Sequence, residues 1–308
     1  MNILFIGTSE FAVSPLDVLL KKGFNIVSVI TQPDKFGGRG LKKILSPVKI
    51  FALESNLPIF QPHDINSKDV ENLIKSREID LGIVVSYAQI INENIFSLPK
   101  FHMINLHPSL LPKYRGPSPI QSALLNDDKK TGVTVIEINK RMDAGPIISQ
   151  KEVDISPFDD YVTLHSRLSF IGGELLAESV AKFPDNIRKI DQNESDATYC
   201  RLFDKSDGKI DWEDTAHNIA NKVKALSGWP IAYTYFRGKL LKIYKAEVTQ
   251  EFSNIQFGSM IKLSKESFGI VAGDGVVLKI LELQIEGKSK VDSKAFMNGN
   301  KFDTGDKL

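Results

Sequence analysis

The sequence predicts an α/β chain: a doubly wound domain with a mostly parallel sheet, followed by a small, mainly antiparallel β-barrel. Three observations carry that expectation. The first thirty residues read strand, helix, strand; runs rich in Val, Ile and Leu then alternate with amphipathic stretches as far as residue 182; and beyond residue 208 the apolar runs are short and separated by tight turns.

Residues 2–7, NILFIG, are an apolar run that stops at glycine, and FAVSPLDVLLKKG has helical spacing ended by Gly23. NIVSVITQPD is a β-branched run that halts at Pro33, so these pieces form a βαβ unit with an expected right-handed crossover. The alternation continues with a helix over 46–55, a short strand at 57–60, a helix over 67–76 and a buried strand at 80–87. FHMIN at 101–105 reads as another strand, separated by a proline-rich loop from a helix near 118–126. TGVTVIEI and PIISQKEVDI, at 131–138 and 146–155, are strands joined by the turn-like NKRMDAG, and a long helix over 159–182 closes the domain. The expected division is 1–189 for the first domain, a polar linker over 190–207, and 208–308 for the barrel, which opens with a helix at 213–226. Turns such as RGK and GDG then space the runs IAYTYF, KLLKIYKAEV, GSMIKLS, SFGIVA and GVVLKILELQ.

A chain of 308 residues with 42% hydrophobic content is large enough for two domains. The 39 basic and 38 acidic residues give a net charge of +1, so no bulk field would hold the chain to a polyanion; residues 1–207 carry −2 and residues 208–308 carry +3. Cys200 stands alone and fits a reducing compartment. MNILFIGTSEF lacks the basic lead of a signal peptide, and no uninterrupted apolar run approaches about 18 residues, so a cytoplasmic protein without a membrane partner is expected.

Gly7 ends a strand where doubly wound folds bind ligands, yet GTSEFA is not GxGxxG and GxxxxGK[ST] is absent, which disfavours a dinucleotide or nucleoside triphosphate site. FGGRGLKK at 36–43 combines adaptable glycines with Arg39, Lys42 and Lys43; it is either a solvated loop or a phosphate-backbone contact. The strongest local signal is INLHPSLLPKYRG at 104–116. Asn105 and His107, two apart at a strand end, point to one face, while Pro108 and Pro112 stiffen the loop and Leu110 and Leu111 can wall an apolar pocket. Asp143 in RMDAG is the natural third member, a carboxylate able to orient or charge an imidazole. Ser109 lacks a GxSxG context, so backbone bonding is its economical role. The five histidines show neither HExxH nor a Cys/His cluster, and no metal is expected.

NLHPSLLPKYRG followed by RMDAG resembles the 10-formyltetrahydrofolate-dependent formyltransferase family. TQPDKFGGRG at 31–40, together with the late KIDW and SGWP elements, is similar to its methionyl-tRNA formyltransferase branch, and the resemblance covers nearly the whole chain. It implies a Rossmann-like formyltransferase domain followed by an OB-like barrel that touches tRNA. It also implies transfer of the formyl group of 10-formyltetrahydrofolate, without metal, to the α-amine of initiator methionyl-tRNA, by a protein expected to be a monomer. By the same resemblance Asn105, His107 and Asp143 are catalytic; Ser109, Leu110, Leu111 and Pro112, with the backbone of 86–90 and 138–143, meet tetrahydrofolate; and Arg39, with Lys42 and Lys43 beside it, meets the acceptor stem. Which group moves each proton stays open among His107, Asp143 and water.

Overall fold

The computed structural model describes residues 1–37, 42–185 and 187–308. They cluster into two units. The first comprises Met1–Pro119, Lys130–Asp154 and His165–Cys200; the second comprises Ile120–Lys129, Ile155–Leu164 and Arg201–Leu308.

The first unit is built on seven strands: β1 (Ile3–Gly7), β2 (Ile26–Ile30), β5 (Ile59–Phe60), β6 (Leu81–Val85), β7 (Met103–His107), β8 (Lys130–Glu137) and β9 (Ile147–Asp154), in the order β5-β2-β1-β6-β7-β8-β9. The strands from β5 to β7 pair in parallel, and β8 and β9 add an antiparallel hairpin at the edge. Expected and observed sheets therefore agree in being mostly parallel. Parallel strands covered on both faces are apolar throughout, and every residue of β1 and β6 is buried. Around the sheet run α1 (Val13–Lys21), α2 (Pro47–Glu54), α3 (Lys68–Ser76), a short α4 (Glu93–Phe96) and most of α6 (Tyr161–Val180). The start of α2 is set chemically: Ser46 Oγ accepts the Lys49 N–H at 3.1 Å, and Pro47, which has no N–H to leave unpaired, takes the first turn.

The segment expected as a loop at 36–43 is flanked by strands. β3 (Lys35–Gly37) and β4 (Lys42–Ile44) pair antiparallel, Phe36 opposite Lys43, and Arg39 lies outside the described residues. Glycines and lysines conceal this ribbon from a propensity argument, because its pairing is local and depends on no alternating apolar face.

The second unit holds α5 residues from Ile120 onward (α5 is Pro119–Leu125), α7 (Ala216–Ala225), and β10 (Ala232–Phe236), β11 (Lys239–Phe252), β12 (Met260–Lys262), β13 (Phe268–Val271), β14 (Val276–Ile285) and β15 (Val291–Asp292). These strands form one six-stranded antiparallel sheet in the order β10-β11-β14-β13-β12, with β15 on β14. Ile219 and Val223 of α7 pack with Leu241, Ile243, Leu278 and Ile280 in its core. A final helix absent from the sequence reading, α8 (Ser293–Gly299), is capped by Asp292, which accepts the Ala295 N–H at 2.8 Å, and is pinned by Phe296 stacked on Phe268 at 5.1 Å. One aromatic anchor in seven residues is too little periodicity to announce a helix. Among the described residues no helix is long and apolar enough to cross a membrane.

Candidate active site

The loops after β6 and β7 leave the carboxyl ends of neighbouring parallel strands, the place where open α/β sheets bind ligands. β7 carries both leading candidates. Met103, Ile104 and Leu106 are buried and fix the strand, while Asn105 is half-buried and, among the described residues, its side-chain amide has no hydrogen-bond partner. His107 is 4% exposed. Its Nε2 lies 2.9 Å from the Tyr114 carbonyl, which can only accept, so Nε2 carries the proton and Nδ1 is the nitrogen left to take one. Asp143 Oδ2 stands 3.6 Å from that Nδ1, longer than a direct hydrogen bond but close enough to stabilise an imidazolium. The same oxygen accepts the Gly116 N–H at 2.8 Å, so the loop after β7 holds the carboxylate in place.

Asp143 sits at φ 51°, in the left-handed region, within the β8–β9 connection. Such backbone costs on the order of 1 kcal/mol for a non-glycine residue and persists where neighbours enforce it. Gly145 helps: a Cβ there would lie 1.7 Å from the Glu137 carbonyl, so only glycine lets the turn close. Asp143→Asn keeps an oxygen able to accept from Gly116 and removes only the charge. It is expected to slow single-turnover chemistry at least about tenfold while a tetrahydrofolate analogue binds within a few-fold of wild type; weakened analogue binding with unchanged chemistry would reassign Asp143 to the folate pocket.

The segment 109–112 is held from inside. Ser109 and Leu111 are buried, and Ser109 Oγ donates to the Lys113 carbonyl at 2.6 Å, as its sequence context suggests, whereas Leu110 and Pro112 are partly exposed. Two residues that sequence reasoning missed fasten it. Thr134, opposite His107 on β8, donates to the Ser109 carbonyl at 2.6 Å and accepts the Leu111 N–H at 3.2 Å; Gln150 on β9 donates to the Leu111 carbonyl at 2.9 Å. The one available signal was the polar Thr in the apolar run TGVTV.

The stretch read as the beginning of a linker returns to the site. Residues 198–200 pair with the loop after β7: Tyr114 N–H donates to Thr198 Oγ1 at 2.8 Å, Arg115 N–H to the Thr198 carbonyl at 2.9 Å, and Cys200 N–H to the Arg115 carbonyl at 2.8 Å. Arg115, 1% exposed, forms a two-oxygen pair with Glu194 at 2.9 and 3.1 Å. That guanidinium holds the Glu194 carboxyl below the usual carboxylate range.

At the basic ribbon, Asp34 accepts from Lys43 at 2.9 Å and from Lys49 at 2.6 Å, and Gln61 donates to it at 2.9 Å. Lys49 first, then Gln61 and Lys43, hold this carboxyl well below its ordinary range. Lys43 thus braces the ribbon while remaining 56% exposed; of Lys42 only the strand position is described, and Arg39 falls outside the described residues. Among the described residues no group of three or more His, Cys, Asp or Glu side chains is placed to hold a metal ion.

Residues 1–180 match the formyl transferase family and residues 203–301 the formyl transferase C-terminal domain family, so the chain is a formyl transferase by family. The methionyl-tRNA formyltransferase of Caldanaerobacter subterraneus subsp. tengcongensis is 38% identical over 307 residues, covering 99% of each chain, and that of Thermotoga neapolitana is 41% identical over 309 residues, covering 100% of this chain and 98% of the other. The chain belongs to the methionyl-tRNA formyltransferase family. It is an enzyme that transfers a formyl group from a folate donor. Among solved structures, the sugar 3N-formyltransferase WlaRD, determined in the presence of dTDP and 5-N-formyl-THF, has a TM-score of 0.67 at 24% identity and covers 94% of this chain and 99% of its own. The N-formyltransferase from Helicobacter canadensis, in complex with folinic acid and dTDP-3-aminofucose, has a TM-score of 0.68 at 22% identity, covering 90% and 98%. These two likenesses concern the fold.

Proposed function

We propose that the protein transfers the formyl group of 10-formyltetrahydrofolate to the α-amine of methionine esterified to initiator tRNA, with Asn105, His107 and Asp143 as the reacting group. The end-to-end identity of 38 to 41% with methionyl-tRNA formyltransferases carries this choice of acceptor. An esterified amino acid has an amine that is neutral in part near pH 7 to 8, and the N10-formyl group is an activated acyl donor. The amine attacks the formyl carbon, a tetrahedral oxyanion forms, the amine gives up a proton, and N10 leaves with one.

The unengaged Asn105 amide is suited to meet the developing oxyanion, the point where a preset donor has most effect. His107 is suited to the proton. With Nε2–H committed to the Tyr114 carbonyl, the amine proton would enter at Nδ1, and the Asp143 carboxylate would stabilise the resulting imidazolium. Direct donation from Nε2 to the oxyanion, one role open from sequence, would require giving up the Tyr114 bond. The donor's pterin is assigned to the carboxyl end of the sheet, where Ser86 and Ala88, at φ 48° and 68°, turn the β6 loop and Leu110 and Pro112 are partly exposed. Contact by Ser109 or Leu111 would be through backbone, since their side chains face inward.

Incubation with 10-formyltetrahydrofolate and methionine-charged initiator or elongator tRNA tests the assignment. Formylation confined to the initiator is expected, and its absence with both would refute the acceptor. Arg39, beside two glycines, is proposed to meet the tRNA backbone. R39A is expected to lower the second-order formylation rate by about tenfold or more at low salt, with a smaller relative loss as salt weakens wild type, and to leave folate-analogue affinity unchanged. Equal kinetics across the salt series would remove the contact.

A further inference from the structure

Asp143 occupies a left-handed backbone conformation and faces His107 across 3.6 Å, so something must hold its turn. Its carboxylate bond to Gly116 acts on the side chain. Within the connection the turn's backbone is held by the Ala144 N–H donating to the Arg141 carbonyl and by Asn139 Nδ2 donating to the Ala144 carbonyl, each at 3.2 Å; from outside it is held by Gln192, which lies beyond both matched families' boundaries at 180 and 203. The Gln192 amide nitrogen donates to the Asp143 carbonyl and to the Gly145 carbonyl, each at 2.8 Å. Its amide oxygen accepts from Arg115 Nη2 at 2.8 Å and from Arg115 Nε at 3.0 Å. Both N–H donors of one amide and both lone pairs of its oxygen are therefore used between two loops.

Arg115 makes the anchor rigid. It is fully buried, its remaining donors go to Glu194 and the Tyr199 hydroxyl, and it lies on the loop whose Tyr114 carbonyl accepts from His107 and whose Gly116 N–H binds Asp143. We propose that Gln192 is a positioning residue for formyl transfer: by joining Arg115 to the backbone of Asp143 and Gly145, it sets the Asp143 carboxylate opposite His107 Nδ1. The proposal rests on the roles given above to His107 and Asp143. A displacement of about 1 Å in such a pair can cost up to 100-fold.

The test compares wild type, Gln192→Met, Gln192→Glu, Asp143→Asn and the Q192M/D143N double variant in the full-length protein. Q192M removes all four hydrogen bonds at similar length. Q192E keeps a carboxylate for Arg115, which protects the fold, and deletes the two donations to Asp143 and Gly145. Both single variants are expected to lower saturating turnover about tenfold or more with KM for the folate donor and for methionyl-tRNA within about twofold. In the D143N background Q192M should cost less than about twofold further, because the position it secures no longer carries charge. Full multiplicative losses in the double variant, or KM changes in place of turnover changes, would overturn the proposal. A crystal structure of Q192E reads the same claim without any acceptor. The Asp143 Oδ2 to His107 Nδ1 separation should depart from 3.6 Å, and an unchanged separation refutes Gln192 even if the acceptor proves to be something other than methionyl-tRNA.

Discussion

Replacing His107 by alanine is expected to lower turnover roughly 100-fold or more, about 2.7 kcal/mol of transition-state stabilisation, while the protein stays folded. His107 sits at the end of a strand whose core residues, Met103, Ile104 and Leu106, are untouched by the change, and the hydrogen bond of its ring to the Tyr114 carbonyl closes a loop that is independently tied to residues 198–200. What alanine removes is the nitrogen facing Asp143, and with it the local acceptor for the amine proton. Single-turnover formylation by H107A, measured at saturating donor and acceptor beside a circular dichroism melt, is the check. A rate within a few-fold of wild type would take the proton away from His107 and leave it to water or Asp143.

Asn105→Leu is expected to match that loss, on the order of 100- to 1,000-fold in turnover, for a different reason. Leucine keeps the size and half-buried position of the side chain and deletes only a donor that has no partner within the described structure. Among the described residues nothing is hydrogen-bonded to that amide, so stability should be unchanged or slightly improved, and folate-analogue affinity should move little. The pattern of a lost rate without lost binding or stability belongs to a group that acts when negative charge develops. If N105L instead weakens donor binding in proportion to its rate, the amide contacts the ground state and the oxyanion must find another donor.

Some of this was legible from residue order because it is local. Asn105 and His107 share a face through the two-residue period of a strand, and the prolines after them announce a stiff loop. The strands of the parallel sheet declare themselves because burial on both sides demands continuous apolar runs, as in LGIVV at β6. Other features depend on partners remote in sequence. DQNESDATYC reads as solvated linker because polarity ordinarily means exposure; here Gln192 and Glu194 are polar because a buried arginine needs them. Residue order reads Lys43 as part of a solvated or phosphate-contacting loop and does not show its ion pair with Asp34, nor does it show that the Ser109 and Leu111 side chains are buried. Thr134 and Gln150 could not be linked to the loop they fasten before the pairing of β7, β8 and β9 was known.

The pairing of residues 198–200 with the loop after β7 also has a consequence for the order of folding. The strands of the parallel sheet, its edge hairpin and α6 all lie before Ala181 in the chain. The Tyr114–Thr198 bond spans 84 residues, about as many as the pairing of β1 with β6, but its second partner is made later in the chain than any strand of the sheet. On a ribosome, where the amino-terminal part emerges first, the sheet can assemble with His107 at the end of β7 before the loop that follows it is fastened by residues 198–200. The bonds that tie the loop after β7 to residues 198–200, and those from Gln192 to Asp143 and Gly145, can form only once the chain has grown past that stretch, when the strands of the sheet are already made.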